Sequence, residues 1–145
     1  MSLRKFLIPV LCVLLATPAA AGDFNDESAA NWLARVDMFM TAAQQPDLNP
    51  QTAPRYFASA CKGITGEAAK YGNHRPQWAT EGLGSFCSGV NVMSWGKPCR
   101  EFRHASKMFA KADPAKDPLE VVQAANYMAG LSDRFVESAH DARRC

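Results

Sequence analysis

The segment Gly82–Lys97 constrains this chain most. Leu83, Phe86, Val90 and Met93 recur at helical spacing, Cys87 offers a cross-link, and Gly82, Gly84 and Gly89 carry no side chain. Each glycine inside a helix costs up to about 1 kcal/mol relative to alanine. A helix that spends three of them is therefore one against which another helix packs closely. The segment is predicted as the central helix, from Gln77 to about Trp95, of an all-α domain.

The first residues read as an export signal: Arg4 and Lys5, an apolar run from Phe6 to Ala16, then the small-residue cleavage site Ala19-Ala20-Ala21. Residues 1–21 are expected to be removed, leaving 22–145 as one domain. The run is shorter than the roughly 20 residues a membrane span needs and contains Pro9, so no stable membrane insertion is expected. Cys12 leaves with the signal. A lipoprotein signal would want a small residue before that cysteine, and Leu11 stands there. The chain carries 16 Lys and Arg against 14 Asp and Glu. Arg4 and Lys5 account for the excess, so the remaining domain is balanced and bulk charge argues for no nucleic-acid partner. The expected compartment is the periplasm, with secretion as the alternative.

Cys61, Cys87, Cys99 and Cys145 remain, an even number that reads as two disulfides in a small exported chain. A first helix is expected from about Asp26 to Gln45, capped by Asn25 or Asp26, with Trp32, Val36, Phe39 and Ala43 on its inner stripe. Prolines 46, 50 and 54 mark a loop, and a second helix is expected from Ala53 to Tyr71, ended by Gly72 and Asn73. Cys61-Lys62-Gly63-Ile64 and Cys87-Ser88-Gly89-Val90 share a local pattern, and an antiparallel hairpin would bring their sulfurs level. The favoured pairing is thus Cys61 with Cys87. Three connectivities are possible, and joining Cys99 to Cys145 would leave no free thiol and tie down the chain end. The fourth helix, Cys99 to about Ala112, should turn Cys99, Phe102, Ser106 and Phe109 inward. The last, Leu119 to about Ala142, should bury Val121, Ala125, Met128, Leu131 or Ser132, Phe135 and Ala139. The expected fold is a compact all-α bundle of about five helices stapled by two disulfides.

No pattern here carries catalysis. His74, His104 and His140 lie on a loop and two different helices, and neither His-x-x-x-His nor Cys-x-x-Cys occurs. Gly84-Ser85-Phe86-Cys87 lacks the second glycine of a nucleophile elbow, and Glu67, Glu81 and Glu101 form no recognisable acid pair. The expectation is a non-enzymatic protein with no metal and no cofactor. Arg100, Arg103, Lys107 and Lys111 form a basic stripe on the fourth helix. Such a stripe is ordinarily a solvated face; its functional alternative is to receive an acidic surface of a partner protein or a phosphate-bearing polymer. Trp78 and Trp95, at the two ends of the central helix, are candidate contact residues because tryptophan and arginine supply much interface energy. The loops Gly72–Gln77 and Asp113–Pro118 are further candidates on exposure.

With its early cysteine at Cys61, the segment Phe86-Cys87-Ser88-Gly89-Val90, a further cysteine at Cys99 and a final amphipathic helix closing on Cys145, the chain resembles the Tai-type immunity proteins of type VI secretion systems. That family tends to show an aromatic where this chain has Val90. The resemblance implies a periplasmic binder, a homodimer, that occludes the active site of a peptidoglycan amidase effector. The rival expectation is a periplasmic stress protein of holdase type without a cognate toxin, opened by protonation of paired carboxylates.

Overall fold

The structure, a computed structural model, describes residues 22–145. The export signal and its Cys12 lie outside the described residues. Among the described residues there are no strands, and five helices are seven residues or longer.

Helix α1 spans Asp26–Ala43. Asn25 opens it with a reciprocal cap: the Ser28 amide donates to Asn25 Oδ1 at 2.8 Å, and the Asn25 amide donates to Ser28 Oγ at 2.9 Å. Asp26 and Glu27 lie in its first turn, where the free amides of the helix favour negative charge. Trp32, Val36 and Phe39 face inward and are fully buried.

The second expected helix is not continuous. The chain forms α2, Ala53–Tyr56, then α3, Ala58–Cys61, and after a break α4, Ile64–Tyr71. Gly63 supplies the break at φ +79°, in the left-handed region open to glycine at little cost, while Lys62 before it is extended. The carbonyls freed at this break are taken up by Arg35 of α1, whose Nη1 donates to Ala60 O at 3.1 Å and Lys62 O at 2.6 Å. A single apolar stripe could not reveal that stop, because the arginine that takes up its free carbonyls sits on another helix.

A 3-10 turn, Gly72–His74, leads through Pro76 into α5, Gln77–Val92. Helix α6 covers Cys99–Phe109 and α7 covers Leu119–Asp141. The inward side of α6 holds Cys99, Phe102, Ala105, Met108 and Phe109. Ser106, expected inward, is only half-buried, because the helix is rolled to set Ala105 against its neighbours. Every inward position expected on α7 is buried, both Leu131 and Ser132 included. Cys61 is bonded to Cys87, with Cα atoms 5.8 Å apart, and Cys99 to Cys145, with Cα atoms 5.0 Å apart. One bridge ties the α3 end to the centre of α5, and the other holds the chain terminus to the start of α6.

The glycines of α5 make room for two rings. A Cβ on Gly82 would lie 2.7 Å from Phe109, and one on Gly89 would lie 2.8 Å from Phe102. Both pairs are seven residues apart and run in opposite order, as antiparallel helices require. Phe86, between the glycines, sits among Phe39, Phe57, Phe102 and Phe135 at ring separations of 5.4, 5.4, 5.3 and 5.6 Å. Each such pair contributes about 0.5–1.5 kcal/mol beyond the area it buries.

Gly89→Ala should therefore cost about 1–3 kcal/mol, the range for overpacking a core. Gly84, with nothing within 4 Å of a built Cβ, is the control: Gly84→Ala should stabilise by about 0.4–1 kcal/mol. Urea unfolding of the two variants beside the wild type measures both signs, and equal effects would contradict the close approach at Gly89.

Candidate functional site

The outer side of α6 presents Arg100, Arg103, Lys107 and Lys111, all exposed. Their separations of three and four residues keep them along one side of the helix. Arg100, 93% exposed, reaches Glu101 only at 3.6 Å, and none of the other three makes a salt bridge among the described residues. Beside this row α5 contributes Glu81, whose Oε1 lies 2.8 Å from His104 Nε2 and whose Oε2 accepts from Gln77 Nε2 at 2.9 Å. The hydrogen bond with His104 holds the Glu81 carboxyl below its usual range, against a smaller opposing effect of burial. Glu81 is committed to these partners.

The two tryptophans part company. Trp95 is 72% exposed, and its Nε1 donates to Asn91 O at 3.0 Å, so the indole is fixed while most of it faces solvent. It lies in the turn between α5 and α6, next to exposed Lys97 and just before Arg100. Trp78, a candidate contact residue, is instead buried and closes an end of the core. It packs edge-on to Trp32 at 5.5 Å and Phe24 at 6.0 Å. The cause is the lead before α1: Phe24 folds over the head of α5 and closes that end of the core.

Sequence reasoning missed an ionic cluster. Glu67 of α4 receives Arg35 Nε at 2.7 Å and Arg35 Nη2 on one oxygen, and Arg75 Nη2 at 2.9 Å on the other. Arg75 is 2% exposed, and its guanidinium lies 4.8 Å from the Tyr71 ring centre, a cation–π distance. Burial pushes the Glu67 carboxyl up, but the hydrogen bonds and charges of Arg35 and Arg75 outweigh it, and the net shift is downward. The partners come from α1, α4 and the segment before α5, too distant in sequence for any local spacing to flag them. The one visible hint was Gly63, whose break supplies the carbonyls that hold Arg35.

The two loops proposed on exposure are more constrained than that suggests. In 72–77 the chain is pinned by Arg75 and by Ser28 Oγ, which donates to His74 O at 2.5 Å. The loop 113–118 is knit to itself through Asp113, whose amide donates to Asp117 Oδ2 at 2.8 Å. His74, His104 and His140 are not gathered together, and among the described residues no group of three His, Cys, Asp or Glu side chains is placed to hold a metal ion. Among the same residues no helix is long and apolar enough to cross a membrane. No family model matches the chain, and neither a curated protein nor a solved structure does.

Because Glu67 has a lowered folded pKa, its stabilising contribution is complete above its unfolded pKa of about 4.3. It is lost as pH falls through the lowered folded value. Glu67→Gln should cost about 1–3 kcal/mol at pH 7, less than a fully buried pair because the Glu67 carboxylate is only half-buried, and should flatten the fall in stability below about pH 4. Urea midpoints from pH 7 to 3 read both effects, and an unchanged pH slope in the variant would exclude Glu67 as its source.

Proposed function

We propose that the domain is an exported, periplasmic binding protein that inhibits a cell-wall hydrolase effector, of the peptidoglycan amidase kind, by covering its active site. The observation that carries this reading is the fixed, exposed indole of Trp95, which lies in the turn leading into the exposed cations of α6. An aromatic anchor next to arginine is the composition of interface hot spots. A row of like charges speeds encounter with an acidic surface more than it tightens the complex. Two disulfides hold α3 to α5 and the C-terminus to α6. Such a scaffold is already ordered and gives up little conformational entropy on binding. The cysteine order and the Phe86-Cys87-Ser88-Gly89 segment, through which the chain resembles the Tai-type immunity proteins, add the effector class. Self-association into a homodimer belongs to the same proposal.

The acid-opened holdase is favoured by one observation, the Glu67 cluster, a carboxylate whose ion pairs join three parts of the fold. Its lowered pKa places any opening below the ordinary carboxylate range, whereas an inhibitor acts at neutral pH.

The test is whether the oxidised protein, recovered after export, binds and silences a peptidoglycan hydrolase encoded beside it. One-to-one binding with loss of hydrolase activity at pH 7 is expected. Trp95→Ala should weaken the complex by about 2 kcal/mol or more. Reversing Arg103 and Lys107 to Glu should lower the association rate and its salt dependence. A neighbouring hydrolase left fully active by the oxidised protein would overturn the inhibitor reading. Capture of many unrelated unfolded proteins, only below about pH 4, would install the holdase instead.

A further inference from the structure

On the opposite side of α7 from the basic row, a cleft of about 240 Å³ opens between the end of α1, the loop before α2, the foot of α5 and α7. Its inner wall is apolar: Leu48, Met93, Leu131 and Phe135, the last three buried. Its size exceeds the ~150 Å³ cavity that accepts a benzene ring and falls short of the ~300 Å³ at which pockets for larger ligands begin. A short alkyl chain or a single aryl ring is the apolar group it would take.

The mouth of the cleft is not apolar. Arg134 and Ser138, one turn apart on α7, both line it and are both exposed. Arg134 makes no salt bridge among the described residues. The nearest acids on the same helix, Asp133 and Glu137, line a separate groove with Arg103 and His140 on the α6 side. A second cation stands close by, since Arg144 Nη1 donates to the carbonyl of Met93, a residue of the cleft wall, at 3.3 Å. Guanidinium and hydroxyl donors above an apolar recess match a carboxylate attached to a small apolar group, with the charge-assisted bond supplying orientation.

We propose that this cleft binds a small monocarboxylic acid, its alkyl or aryl portion against Leu131 and Phe135 and its carboxylate on Arg134 and Ser138. The site is separate from Trp95 and the α6 cations and stands whether or not the domain inhibits a hydrolase. The probe is hexanoate, titrated into the oxidised protein and followed by NMR shifts of the Met93 and Leu131 methyl groups, with 1-hexanol as the uncharged control. Saturable shifts in the millimolar range are expected. They should weaken about tenfold or more both for 1-hexanol and in Arg134→Gln, whose exposed position leaves the fold and its melting unchanged. Absence of saturable shifts with hexanoate, equal binding of 1-hexanol, or undiminished binding by Arg134→Gln would each overturn the proposal.

Discussion

At Gly82 and Gly89 the backbone of α5 stands against the rings of Phe109 and Phe102, closer than any side-chain-bearing residue would permit. Because the rings lie one over each glycine, they set both the separation of α5 from α6 and the register in which the two run. Phe86, held between the glycines, then reaches rings from α1, α6 and α7 and from the junction of α2 and α3. The loss of helix propensity at the glycines is offset by the ring packing they permit, in a domain whose size leaves little core to spare.

The disulfides extend that contact outward in both directions. Cys87 lies one residue beyond Phe86 and fastens α3, while Cys99 begins α6 and fastens the chain terminus. The turn that joins α5 to α6 therefore leaves one restrained helix and enters another. Trp95, Lys97 and Arg100 sit on that turn or just after it. Their exposure on a restrained segment separates them from ordinary mobile surface residues, and it is what makes an interface there physically reasonable. The cleft bounded by Met93 and Arg134 lies at the same foot of α5 and inherits the same restraint.

The far end of the bundle is held differently. There the Glu67 carboxylate joins Arg35 to Arg75, Phe24 covers Trp32 and Trp78, and Ser28 ties the first turn of α1 to the 3-10 turn. Polar contacts in this region carry what a cysteine carries elsewhere, and the Glu67 ion pairs among them are lost in acid.

The helical class and the inner positions of α5, α7 and most of α1 were legible in the chain itself, with Ala42 in place of the expected Ala43, because apolar spacing at three and four residues states which face must leave water. The even cysteine count stated that cross-links exist, and the glycines of α5 stated that something approaches. Which rings approach, and that they come from α6, required the assembled bundle. So did the break at Gly63, the burial of Trp78 under Phe24, and the meeting of Arg35, Glu67 and Arg75. Periodicity reports a residue's own helix and its solvent side; it is silent on a partner thirty residues away. Contacts of that kind are set by packing and charge between elements, and those arise only when the helices close on one another.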